Sequence, residues 1–132
     1  KLPLPKDGPG PDYGLAEHRA AFSGFLDFLK ANLAGQTPVR VDAAWASQAQ
    51  ILAGFGDFVP PDFVLREEEA AGELPRLAQK AGRRAPGAVP AAQPDQPFAL
   101  ADIYDAGLEE KIAQVYQRDY LRFGFGPWRP LE

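Results

Sequence analysis

Tyr116-Gln-Arg-Asp119-Tyr120-Leu-Arg-Phe123-Gly124-Phe125 closes an amphipathic helical pattern and turns back on a glycine, and its reading decides what the rest can be. Leu108, Ile112, Val115, Tyr116 and Phe123 recur at intervals of three, four and seven, which draws one apolar stripe down a helix. The spacing predicts a single helix from about Asp105 to Phe123. Glu109 and Glu110 stand near its start and Arg118 and Arg122 near its end, the signs that suit a helix dipole. Asp119 falls on or beside the stripe. A carboxylate there must find hydrogen-bond or charge partners such as Arg66 or backbone amides, because an unpaired buried charge costs several kcal/mol or more, on the order of a whole domain's margin.

Working back from that helix, residues 83–97 carry Pro86, Pro90, Pro94 and Pro97 with no helical period, which reads as a mobile loop. Before it, Leu74, Leu77, Ala78 and Ala81 define a helix ended by Gly82, with Pro75 fitting best in the first turn, where its missing amide would be unpaired anyway. Pro60 and Pro61 force extended backbone. The consecutive apolar residues of Phe63-Val-Leu65-Arg66 then read as a short strand buried on both faces. Upstream, Trp45, Ile51 and Leu52 belong to a helix opened by Asp42 as cap and broken by Gly54 and Gly56. Phe22, Phe25, Leu26, Leu29 and Leu33 mark another from Leu15 to about Leu33, with Phe28 widening its face and Gly35 ending it. Residues 1–14 alternate proline and glycine and read as a linker or arm; residues 127–132 read as a tail.

One buried strand cannot make a sheet. Flanked by helices, it predicts a mainly α chain with one buried strand, which either pairs strand 63–66 with another polypeptide segment or is the C-terminal part of a larger α/β domain. A start at Lys1 and the lack of any methionine fit an excised portion of a longer product.

The 132 residues match one domain or a part of one. Hydrophobic residues at 45% allow a packed core and exclude wholesale disorder. A net charge of −4 argues against a general nucleic-acid or anionic-membrane binder, which needs a basic face. With no cysteine there is no disulfide, thiolate metal site or cysteine nucleophile, and no apolar run is long enough to span a membrane. These features predict a cytoplasmic protein that uses no metal.

The order of elements resembles the bacterial and Golgi-type carbohydrate sulfotransferases. In that family a helix beginning Phe-x-x-Phe is followed by an Asp-x-His-Trp-x-x-Gln segment and a strand with Glu near its end. A helix, a variable loop and a final Tyr-x-x-Asp-Tyr-x-x-Phe-Gly-aromatic helix complete it. Here Phe22-Ser-Gly-Phe25, Asp42-Ala-Ala44-Trp45-Ala-Ser-Gln48, Phe63-Val-Leu-Arg66-Glu67-Glu68 and Glu73-Leu74 fall in that order before the final helix, covering roughly residues 15–126. The resemblance implies the C-terminal part of a P-loop-like, three-layer α/β domain, with the missing N-terminal half pairing with strand 63–66, and sulfuryl transfer from 3′-phosphoadenylyl sulfate, a co-substrate, to a hydroxyl of a carbohydrate or similar small acceptor.

Two departures are plain. Ala44 stands where the family has His, which removes a base often attributed to that segment. The family's donor-recognition elements, a phosphate-cradling loop and an arginine segment ahead of the Phe-x-x-Phe helix, are missing; Gly54-Phe-Gly56 and Gly124-Phe-Gly126 lack the lysine and helix start of such a loop. The chain alone is therefore not expected to turn over. A rival expectation is a catalytically silent helical interaction module on the same scaffold.

Within this frame Glu68 is the candidate base for the acceptor hydroxyl, or else a tether for the strand's exit. Arg66 either holds an anion or pairs with Glu67, Glu68 or Asp119. Trp45 and Gln48 are candidate substrate contacts, although Trp45 reads first as a core residue. Arg83 and Arg84 are candidate donor-phosphate contacts, or a solvated pair. His18, the sole histidine, reads as exposed, and the remaining aromatic residues as core.

Overall fold

The computed structural model describes residues 10–84, 87 and 97–129, and among them every regular element is a helix. These are α1 (Leu15–Leu33), α2 (Gln48–Gly56), α3 (Glu67–Lys80), α4 (Leu100–Ile103), α5 (Ala106–Val115) and α6 (Gln117–Phe123). The expectation of a buried strand in an α/β domain is thereby overturned. Residues 63–66 form no ladder, and Phe63 and Val64 remain 54% and 55% exposed. The physical reason is the one that made the strand need a partner: a lone extended segment has nowhere to send its amides and carbonyls except water. No helix among the described residues is long and apolar enough to cross a membrane.

The chain divides into two compact units. The first comprises residues 1–54 and 96–132. In it α1 packs along α5 and α4, burying Leu26, Leu29 and Leu108 under Phe22, Phe25, Phe28, Trp45, Tyr104, Ile112, Val115 and Tyr116. Each fully buried leucine contributes about 1.5–3 kcal/mol relative to exposure. Polar ties run along the edges of the α1/α5 seam: Lys111 Nζ donates to Asp27 Oδ1 at 2.8 Å and Ser23 Oγ at 2.9 Å, Lys30 Nζ to Gln114 Oε1 at 3.0 Å, and Arg19 pairs with Asp105.

Beyond α1 the chain turns at Gly35, whose φ of +71° lies in the left-handed region that favours glycine. Asn32, only 2% exposed, organises the segment from that turn to Trp45. Its amide nitrogen donates to Thr37 Oγ1 and the Val39 carbonyl, and its oxygen accepts from the Trp45 indole at 3.0 Å. Asp42 does not cap α2 as expected: it receives the Ala44 amide at 2.8 Å and holds a turn, and α2 begins six residues later. The final helix is likewise not continuous. Asp105 caps α5 by accepting from the Leu108 amide, then Tyr116, at φ −108° and ψ 30°, breaks the run and starts α6.

The second unit comprises residues 55–95 and contains α3. Its helix starts earlier than the apolar spacing predicts, because the Glu69 carboxylate reaches back to accept the Arg66 amide, so Pro75 lies inside the helix rather than in its first turn. None of its side chains is fully buried. Lys80 Nζ sits 5.1 Å from the Phe63 ring centre. The expected loop 83–97 falls largely outside the described residues, as do most of the expected arm and half of the tail.

Candidate functional site

The break at Tyr116 has a consequence for α6. It brings Asp119 to the start of α2, where the carboxylate accepts from Ser47 Oγ at 2.7 Å, the Gln48 amide at 3.0 Å and the Ala49 amide at 2.8 Å. Asp119 is 4% exposed. The first amides of a helix have no partner within it, and a carboxylate there also meets the positive end of the dipole. Arg66, the other expected partner, is not among these contacts. A second bond ties the same segments: the Tyr116 hydroxyl donates to the Trp45 carbonyl at 2.9 Å.

Between these segments lies a cleft of about 240 Å³, lined by Trp45, Gln48, Tyr116, Asp119, Tyr120 and Phe125 together with Ala44 and Ala46. Two of the sequence candidates, Trp45 and Gln48, thus stand together. Trp45 is chiefly a core anchor, its indole held edge-on against Phe25 and Phe28. Gln48 gives its backbone amide to Asp119 and leaves its carboxamide exposed.

The titratable groups of the cleft are already committed. Burial, followed by the charge of Asp119, raises the Tyr116 hydroxyl above the usual tyrosine range. Burial and then the bond to Glu109 push Tyr120 up to about 12. Both phenols stay protonated at neutral pH, and Asp119 already accepts from three donors. The cleft can bind and orient a ligand through ring faces and a carboxamide.

The remaining candidates belong to the second unit. Arg66 Nη1 lies 3.8 Å from Glu68 Oε1, an ion pair in the first turn of α3 with Glu68 71% exposed. Arg83 and Arg84 are exposed just after that helix. His18 is half-buried, its Nδ1 3.1 Å from the Tyr13 hydroxyl and its ring 5.3 Å from that of Phe98, so it is more sheltered than its sequence position implies. Among the described residues no group of three or more His, Asp or Glu side chains is placed to hold a metal ion.

Sequence reasoning missed three participants. Ser47 precedes an apolar helical run, a capping signal overshadowed by Asp42. Glu109, read only as a favourable charge on α5, accepts from the hydroxyls of Tyr104 and Tyr120 and from the Trp128 amide. Phe125, past the helix end, lines the cleft; nothing local marks it for that place. Comparison of the chain with protein-family models, curated proteins and solved structures gave no match.

Proposed function

We propose that the chain serves sulfuryl transfer from 3′-phosphoadenylyl sulfate to a hydroxyl of a carbohydrate or similar acceptor, and that the Trp45–Gln48 cleft receives the acceptor. The observation that carries this reading is the junction at Asp119. Two sequence segments that resemble sulfotransferase motifs, about the Asp42-to-Gln48 stretch and the final Tyr-x-x-Asp-Tyr helix, are joined by the conspicuous residue of the second gripping the helix opened by the first. A shared reason for both motifs is then available: each is half of one joint.

In the proposed reaction the acceptor oxygen bonds to sulfur as the bond from sulfur to the donor's phosphate oxygen breaks. The hydroxyl proton passes to a base, and adenosine 3′,5′-bisphosphate leaves. Catalysis of this kind is mainly positioning and charge stabilisation. In the first unit Gln48 would hydrogen-bond an acceptor hydroxyl; in the second unit, taken by itself, Glu68, solvated and beside Arg66, is the candidate proton acceptor. The donor's phosphates would be held by residues outside this sequence, with Arg83 and Arg84 as secondary contacts.

The test is an assay of the full gene product containing these residues, with labelled 3′-phosphoadenylyl sulfate and a panel of sugars. Adenosine bisphosphate should appear in step with sulfated acceptor. Gln48→Ala should raise the acceptor KM with little change in kcat, and Glu68→Gln should lower kcat about 10²-fold or more. Full activity in both variants would remove these residues from the reaction; no transfer to any acceptor by a product that binds the donor would end the enzyme reading.

One observation favours the rival reading of a catalytically silent interaction module. Phe58 and Val59 are 90% and 73% exposed, and with Phe63 and Val64 they make an apolar run in the second unit. Ala44 in place of His agrees with it. A product that binds no donor yet forms a stable complex through this run would establish that alternative.

A further inference from the structure

The Glu109 carboxylate gathers three pieces of chain that are otherwise separate. Oε2 accepts from the Tyr104 hydroxyl, which follows α4, and from the Trp128 amide at 3.1 Å; Oε1 accepts from the Tyr120 hydroxyl of α6 at 2.9 Å. The Trp128 ring also lies over Tyr104, their centres 4.8 Å apart. Between α6 and Trp128 the chain first turns at Gly124, φ +64°, then carries Phe125, whose ring meets Tyr120 edge-on at 6.1 Å. Phe125 and Tyr120 are both walls of the Trp45–Gln48 cleft.

We propose that Glu109 is a positioning residue of this cleft: it latches the segment after α6 so that Phe125 closes one wall, and it claims the Tyr120 hydroxyl so that Tyr120 offers the cleft its ring. Residues 125–129 form no helix or ladder, and among their ties are the Trp128 amide on Glu109 and the Phe125 ring against Tyr120 and Phe123. A carboxylate is suited to the task because it accepts several donors at once, and each bond to a charged acceptor is stronger than a neutral one. The arrangement makes cleft shape depend on a residue that does not line it. Opening the latch would widen the cleft on the Phe125 side, and ligand entry and release would proceed by that movement.

The inference rests on the assignment of this cleft as the acceptor site, but its test does not require sulfuryl transfer. Amide exchange of the full chain, followed by NMR at pH 7, is compared between wild type and Glu109→Gln, with a soluble gadolinium chelate reporting access to the Phe125 ring. The Trp128 amide should exchange about tenfold faster or more in the variant, the loss of one charge-assisted bond read as an opening equilibrium. The Phe125 ring protons should relax about twofold faster in the same sample, as a ring held at one end is released. The Leu29 and Leu108 amides should be unchanged. Tyr104→Phe, which removes one hydroxyl and keeps the ring, should give the same pattern more weakly, and it replaces Glu109→Gln if that variant does not fold. Unchanged exchange at Trp128 overturns the latch. Faster exchange with an unchanged Phe125 ring makes Glu109 a tie without influence on the cleft, and equal acceleration throughout α1 and α5 makes it a general stabiliser; either result also refutes the proposal. A protein that shows the latch but transfers nothing keeps this inference and loses the acceptor reading.

Discussion

Replacing Asp119 by Ala removes one acceptor and strands three donors. The Gln48 and Ala49 amides are the first two of α2, and Ser47, 7% exposed, would keep a buried hydroxyl. Loss of a helix cap alone costs about 0.5–2 kcal/mol. Stranding a buried donor costs about 1–3 kcal/mol, less where water can enter. Gln48 is exposed, so its amide recovers part of that cost from solvent, and the cavity left by the carboxylate adjoins the open cleft. The sum is therefore about 3 kcal/mol rather than the full total of the separate terms, or roughly a 10 °C fall in the melting midpoint for a chain of this size. Asp119→Asn should fall between, since one carboxamide oxygen still accepts while its nitrogen faces donors. Ser47→Ala combined with Asp119→Ala should cost less than the two single changes added, because they share one bond. Thermal and urea melts give these values, and amide exchange at Gln48 and Ala49 locates the effect. A midpoint unchanged by Asp119→Ala would place this carboxylate in solvent and undo the joint on which the cleft is built.

Acid should weaken the fold through two tied carboxylates. Burial opposes ionisation of Glu109, but the bonds from Tyr104, Trp128 and Tyr120 outweigh it and hold the group below its usual range; the Leu108 amide and then Arg19 do the same for Asp105. A depressed carboxylate contributes stability present above its unfolded value, about pH 4, and lost as pH falls through the folded value. Urea midpoints should thus hold steady from pH 7 to about 5 and drop below about 4, with a shallower drop in Glu109→Gln; an equal drop in that variant would refute the assignment. Two glycine substitutions should have opposite signs. Gly124→Ala forces a side chain into the left-handed region and should cost about 1 kcal/mol, whereas Gly72→Ala, inside α3 with open space around it, should add about 0.5–1 kcal/mol. A Gly124→Ala melt at or above the wild-type midpoint would contradict the left-handed backbone at Gly124, and a lowered midpoint in Gly72→Ala would contradict the open space around Gly72.

The apolar stripes of the sequence locate the helices more reliably than their ends. In α1 the stripe, a glycine before it and a glycine after it agree, and the helix runs where the spacing puts it. The stripe from Leu108 to Phe123 carries straight through Tyr116, so nothing in it registers a break whose cause is distant: the tyrosine hydroxyl reaches Trp45 and the aspartate three residues on reaches α2. The start of α3 is hidden because Glu67, Glu68 and Glu69 hold no apolar position, although three acids in a row are themselves a start signal. Residues 63–66 fail differently. Consecutive apolar residues are compatible with a buried strand, but burial depends on a partner, and local pattern contains no information about one.

Asp119 can be singled out from sequence because its position conflicts with its chemistry, and that conflict has a general use. A charge on an apolar stripe must be answered, and the answer is a long-range contact, in this case one spanning about seventy residues. Glu109 raises no such conflict, being a suitable charge in a suitable first turn, and its role stays hidden. The same accounting bears on catalysis. Asp119, Glu109 and Asp105 each accept two or more donors, so their charge is spent on holding the fold together. If the proposed sulfuryl transfer holds, its base is to be sought among carboxylates less fully engaged. Among the sequence candidates Glu68 meets that condition, with its ion pair to Arg66 stretched to 3.8 Å and most of its side chain in water. Its substitution therefore tests the chemistry with the least disturbance of the fold, and a stability loss in Glu68→Gln comparable to that of Asp119→Ala would show that this carboxylate too is structural.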